Sequence, residues 1–186
     1  MANAAQRIDP VTLEEFQTMN FGDRKAELID GVIVVAQAFP TSRHGAIAAS
    51  IGAHFFNTIR AKKLPCRTEV GTGVPIRLER DYNLGPEVLV RCGERRDTDT
   101  PPVLVVEVLS PSNSATEMMK KLHAYKAVDS IADILLLEQD DYTVEHWTRD
   151  ERGAWTLLPR LSGANAVLAL PRFGGEWRLE DFYGDL

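Results

Sequence analysis

The residues able to do chemistry begin with one awkward carboxylate. Glu107 lies inside Pro102-Val103-Leu104-Val105-Val106-Glu107-Val108-Leu109-Ser110-Pro111-Ser112, a run otherwise aliphatic or small and hydroxylic from Val103 to Ser110. Such a run, rich in β-branched residues and closed by Ser-Pro-Ser, predicts a strand buried on both faces of a sheet. An unpartnered carboxylate there costs several kcal/mol. It must be hydrogen-bonded to a neighbouring Arg or Tyr, or bind a metal near the end of a central strand. A hard cation such as Mg²⁺ favours carboxylate oxygens and needs a second acid. Glu87 follows Pro86 and opens the apolar run Val88-Leu89-Val90. Pairing that run beside residues 103–109 would bring two carboxylates to one sheet edge, where a divalent ion removes their repulsion. Taken alone, Glu87 reads equally well as a strand-opening glutamate facing water.

Glu117, Lys121 and Tyr125 follow at i, i+4 and i+8 and share one face of a helix. Two accounts stay open for them. Ser114-Ala115-Thr116-Glu117 makes a capping box, and Glu117 with Lys121 a supporting ion pair. Alternatively, the helix starts just after the Glu107 strand and aims its positive N-terminus and Lys121 at an anion beside a metal. A lysine there can orient a metal-bound water or stabilise charge in phosphoryl transfer. Arg43-His44 opens an earlier helix and could touch an anion, although a surface helix start is the plainer reading. Glu27, one residue into a strand, reads alone as a solvated side chain. Gly71-Thr72-Gly73 lacks the third glycine of a dinucleotide loop, and there is no P-loop, HExxH or GxSxG.

The elements that must hold these residues follow from periodicity. Thr12 and Glu15 cap a short helix that ends near Asn20-Phe21-Gly22. Residues 26–35 form a hairpin turning at Asp30-Gly31. A long helix starts at Thr41-Ser42-Arg43-His44; Ile47, Ile51, Phe55 and Ile59 form its stripe, widened by Ala48, Gly52 and Phe56. It stops around Arg60 to Pro65. Strands are expected at 66–70, 74–78 and 86–91, a loop at 91–101, a helix over about 114–128 and a strand at 131–138. A hairpin joins 142–148 to 154–158, and 177–186 ends in a short turn. The fold class is α/β, of the α+β mixed-sheet kind, with helices packed on a partly antiparallel sheet.

The whole chain bounds the rest. Its 186 residues fit one domain, 1–186, with 44% hydrophobic and 26% charged residues. A formal charge of −6 argues against gripping nucleic acid by bulk electrostatics. Arg60, Lys62, Lys63 and Arg67, and the tract Arg91, Arg95 and Arg96, are local candidates for a phosphate backbone, though each cluster alone reads better as solvated surface. Cys66 and Cys92 have no zinc spacing and read as free thiols in a reducing cytosol. No signal peptide and no membrane span are expected.

With Glu27-Leu28-Ile29-Asp30-Gly31, Ser42-Arg43-His44, Pro86-Glu87, Val106-Glu107-Val108-Leu109-Ser110-Pro111-Ser112, Lys121 and Tyr125 in this order, the chain resembles the Uma-type putative restriction endonuclease family of the PD-(D/E)xK nuclease superfamily. The resemblance covers about Leu13 to Trp147. It implies a restriction-endonuclease-like core, a central mixed sheet flanked by helices, and Mg²⁺-dependent hydrolysis of DNA phosphodiesters, with Mn²⁺ as a substitute. By matching position, Glu87 and Glu107 would be metal ligands, and Glu27 and Lys121 catalytic. Arg43, His44, Glu117 and Tyr125 would contact substrate. The superfamily's usual lysine, two residues after the second acid, is Leu109 here, so the cation would come from the helix as Lys121; Glu87 stands in place of aspartate. The resemblance further implies a cytoplasmic protein, DNA as partner, no membrane, and a homodimer. The rival reading is a catalytically impaired member of the same fold acting as a binding or scaffold protein. The acidic charge and Glu87 favour that reading, while Glu27, Glu107 and Lys121 favour the enzyme.

Overall fold

The computed structural model describes residues 9–36, 39–93, 100–111 and 114–184. Its first helix, α1 (Leu13–Thr18), starts at the expected capping box: the Thr12 hydroxyl accepts from the Glu15 N–H, and the Glu15 side chain accepts from the Thr12 N–H. Strands β1 (Ala26–Ile29) and β2 (Val32–Val35) pair antiparallel around the two-residue turn Asp30-Gly31. Both turn residues are left-handed, at φ 55° and 72°, as the hairpin twist requires. Gly31 is further constrained because a Cβ there would stand 2.5 Å from the Pro10 Cβ.

Helix α2 (Ser42–Ala61) is capped by Thr41, whose hydroxyl accepts from the His44 N–H at 3.2 Å. Ile47, Ala48, Ile51, Gly52, Phe55 and Ile59 face the core as expected. Phe56 does not: it is 48% exposed beneath the Arg60 guanidinium, because one residue of helix turns it about 100° from Phe55. After α2 come β3 (Cys66–Val70), β4 (Val74–Ile76), β5 (Tyr82–Leu84), β6 (Val88–Cys92) and the central β7 (Pro102–Leu109). Helix α3 (Ala115–Ala127) then crosses over to β8 (Asp133–Glu138). The chain ends with β9 (Thr143–Arg149), β10 (Trp155–Leu157), β11 (Leu161–Ser162), the β12 (Val167–Leu170) and β13 (Gly175–Arg178) hairpin, and α4 (Leu179–Tyr183).

The large sheet runs β10-β9-β8-β7-β6-β3, with β11 on β9. Among the described strands, only β7 and β8 pair parallel, as a helical crossover between them demands. A second sheet has the order β2-β1-β5-β4. Beyond Val103, which packs with the Leu104 cluster, the two faces of β7 separate. Leu104, Val106 and Val108 pack toward α2, α4 and the β12–β13 hairpin around Phe55, Phe173, Trp177 and Phe182. Val105 packs toward α3 and the second sheet with Leu89, Tyr125, Ile134 and Leu136. Glu107 shares the Val105 face by alternation. The architecture is therefore the expected mixed sheet flanked by helices.

Three expectations are corrected. Cys66 and Cys92 are not free thiols. Antiparallel β3 and β6 place them directly opposite each other, and they form a disulfide. The expected strand 74–78 stops at Ile76, and β5 supplies the strand that bridges β4 to β1. β11 and β12 lie in residues 159–176, where no element was expected, and β13 runs into the expected tail at 177; without a marked turn, strands of two to four residues are too short for periodicity to reveal.

Candidate functional site

Antiparallel pairing of β6 with β7 sets Val88 opposite Val106, so one position further along Glu87 stands across from Glu107. The Val108 N–H donates to Glu87 Oε2 at 3.3 Å, tying the two strand ends together. β1 brings Glu27 over the same face, where its Oε1 accepts the Gly85 N–H at 2.6 Å. From α3, Lys121 reaches between the acids: its Nζ lies 2.7 Å from Glu107 Oε1 and 3.0 Å from Glu27 Oε1. One turn on, the Tyr125 hydroxyl donates to the same Glu107 oxygen at 2.6 Å. Two strands, the entry to a third and one helix thus converge on three carboxylates.

Burial is graded across this cluster. The side chains of Glu107 and Lys121 are 4% and 8% exposed, and those of Glu27 and Glu87 are each 15% exposed. Burial pushes the Glu107 carboxyl up to about 7; the Lys121 ammonium opposes that rise, and the charges of Glu87 and Glu27 add to it. Burial also disfavours the Lys121 cation, but Glu107, Glu27 and Glu87 together outweigh it and raise its pKa. For Glu87, burial is overcome by a His44 hydrogen bond and by the charges of Lys25 and Lys121, which hold it well below the usual carboxylate range. Tyr125 is raised by burial and by the adjacent Glu107.

The sequence singled out eight residues here, and the fold brings six of them together: Glu27, Glu87, Glu107, Lys121, Tyr125 and His44, whose Nε2 lies 3.4 Å from Glu87 Oε1. Arg43 turns the other way, its Nη2 donating to the Asp140 carbonyl at 3.4 Å, because neighbours on a helix point about 100° apart. The Glu117 N–H donates to the Ser114 hydroxyl at 3.5 Å, and Lys121 ion-pairs with Glu27 and Glu107 instead of Glu117.

The sequence missed Lys25, whose Nζ lies 3.0 Å from Glu87 Oε1. Its signal was alternation, which puts Lys25 and Glu27 on one face. The basic clusters are elsewhere. Arg91 is buried and spent on Glu69 and the Thr100 carbonyl, at 3.1 and 2.7 Å, and Arg67 holds the same Glu69 at 2.7 Å. Arg60 lies roughly 24 Å from His44 along α2, at about 1.5 Å per residue. Arg95 and Arg96 fall outside the described residues.

The donor chemistry suits a hard divalent cation, since three carboxylates from separate elements face one another. Among the described residues, however, no group of three or more His, Cys, Asp or Glu side chains is spaced to hold an ion. Lys121 occupies the space between Glu27 and Glu107, while Lys25 and His44 occupy Glu87 Oε1. The carboxylates are already engaged by side-chain nitrogens, with which a metal would share them.

Comparison with known proteins gives the family and the fold. Residues 13–180 match the family described as "Putative restriction endonuclease", of the Uma type. The uncharacterized protein sll1609 of Synechocystis sp. is 34% identical over 89 residues, 45% of this chain and 50% of that one, so the chain spans about half the length of that relative. A second uncharacterized Synechocystis protein, slr1290, is 29% identical over 140 residues, 72% of this chain and 71% of that one. The crystal structure of a "putative nuclease belonging to DUF820" from Anabaena variabilis has the same fold, with a TM-score of 0.75 and 20% identity over 94% of this chain and 98% of that one. No helix among the described residues is long and apolar enough to cross a membrane.

Proposed function

Because the chain belongs to the Uma-type putative restriction endonuclease family, we propose that it is a Mg²⁺-dependent endonuclease hydrolysing DNA phosphodiester bonds, with Mn²⁺ able to substitute. The observation that carries this reading is Lys121, a buried ammonium bridging Glu27 and Glu107 beside Glu87. Glu87 and Glu107 are the residues that would hold the ion. When bound, it supplies a lowered water pKa and charge neutralisation at the scissile phosphate. Every other part belongs to the chain. Lys121 donates to the attacking water or to the phosphate oxygen where charge accumulates. Glu27 holds Lys121 in place, and the Tyr125 hydroxyl fixes the Glu107 oxygen. His44 orients Glu87 from the start of α2.

Lys121 also accounts for Leu109. The cation that relatives in the superfamily keep on the strand here reaches the same carboxylate from the helix, at 2.7 Å. The reading includes action in the cytoplasm, and a homodimer would let two such sites address the two strands of a duplex. Plasmid nicking in Mg²⁺ and Mn²⁺ tests the reading, comparing the native protein with Glu107→Ala and Lys121→Ala. Nicking lost in both variants, with far-UV circular dichroism unchanged, is the expected result. Equal nicking in all three would assign the cleavage to another site or a contaminant. No metal-dependent nicking by the native protein would leave the non-catalytic binding role.

A further inference from the structure

Building on the nuclease reading, we propose that Lys25 is a DNA-phosphate contact at the mouth of the site, an ammonium held on Glu87 with donors left for the backbone of the duplex. The two lysines of the site differ in depth. Lys121 is 8% exposed and enclosed by carboxylates, whereas Lys25 is 45% exposed while Glu87 beneath it is 15% exposed. An ammonium has three donors, and the bond to Glu87 Oε1 uses one. A phosphodiester reaching Glu87 from solvent can therefore accept a hydrogen bond from the more exposed Lys25.

The placement is built into the backbone. Gly85 lies under the Lys25 stem: a Cβ at Gly85 would stand 3.0 Å from Lys25 Cε and 3.7 Å from its Nζ. The same glycine donates its N–H to Glu27, so the lysine stem rests against backbone that the cluster itself holds. An anionic substrate also requires such a cation. Three carboxylates line the site, the chain carries a net charge of −6, and Arg67 and Arg91 are bound to Glu69. Phosphate contacts position a nucleic acid without reading its sequence, so this contact predicts affinity and no base preference.

The test is fluorescence anisotropy of a labelled short duplex, titrated in Ca²⁺ over a range of salt concentrations, with Ca²⁺ affinity measured by calorimetry on the same proteins. Lys25→Gln should weaken duplex binding several-fold and lower the slope of log affinity against log salt by about one. Its Ca²⁺ affinity should hold or rise, since Glu87 loses a competing cation. Lys25→Arg should restore both binding and slope. An unchanged slope in Lys25→Gln, with the native protein binding normally, overturns the assignment alone. So does a fall in Ca²⁺ affinity matching the fall in duplex binding, because Lys25 would then act only through Glu87. A native protein that binds no duplex overturns the nuclease reading and this inference together.

Discussion

Glu107 is held between the Lys121 ammonium and the Tyr125 hydroxyl, and its carboxyl is raised from the ordinary 4.5 to about 7, chiefly by burial. Between those values the folded protein keeps a proton that the unfolded chain has released. Stability therefore falls as pH rises through that window, by about 3 kcal/mol in total. Glu107→Gln removes the titration while keeping the shape. In EDTA, the melting temperature of the variant relative to the native protein should rise from pH 5 to pH 8 and then level off; a gap that does not change with pH refutes the raised carboxyl. Lys121→Met makes a complementary prediction. It leaves Glu27 and Glu107 facing each other without their shared cation, which should cost about 3–5 kcal/mol in the metal-free protein. Added Mg²⁺ should then raise its melting temperature more than that of the native protein. At this scale the sequence was informative about Glu107, because a carboxylate in an apolar run needs a partner. Lys25 left only the weak signal of alternation with Glu27, since an exposed lysine next to a strand otherwise looks like any other.

Among the elements, those with a repeating period, a cap or a marked turn were legible, and short strands without one were not. Helix α2 showed its apolar face and cap, α3 its cap and the Lys121–Tyr125 face, and β7 its composition. The hairpin β12–β13 spans four residues a strand, and its identity rests on packing. Trp177 reaches the core beside Phe55 and Phe182, with ring centroids at 5.4 and 6.0 Å. It folds back over Gly175, where a Cβ would stand 2.0 Å from the ring. Gly175→Ala should therefore displace the indole and destabilise the protein by about 1–3 kcal/mol, measurable by urea unfolding and as a red-shifted tryptophan emission. Phe55→Ala, at the centre of the same cluster, should cost about 3–5 kcal/mol.

For the whole molecule, the Cys66–Cys92 bond staples edge strand β3 to β6, which enters the site through Glu87. The bond closes a segment with a sequence separation of 26, so its removal should lower stability by about 3 kcal/mol through the entropy of the unfolded chain. Thiol titration of the unfolded, unreduced protein should find neither cysteine reactive, and both should react after reduction. Two reactive thiols without reductant would return the pair to the free state expected from spacing. The staple lies on the large sheet, whereas Glu27 arrives from the second sheet and Lys121 from α3, so the site depends on the two sheets and the helix keeping their packing.

The sequence by itself determined the buried acid, the caps, the turn at Asp30-Gly31, the central apolar strand and the helix face of Lys121 and Tyr125. These are local consequences of period, turn chemistry and the cost of burying charge. Only the tertiary structure decided which groups meet. Antiparallel register joined Cys66 to Cys92 and set Glu87 across from Glu107. The second sheet carried Glu27 onto Lys121, and helical rotation turned Arg43 away from the site while His44 stayed in it. Contacts between residues far apart in the chain depend on which surfaces bury each other, and no spacing along the chain encodes that.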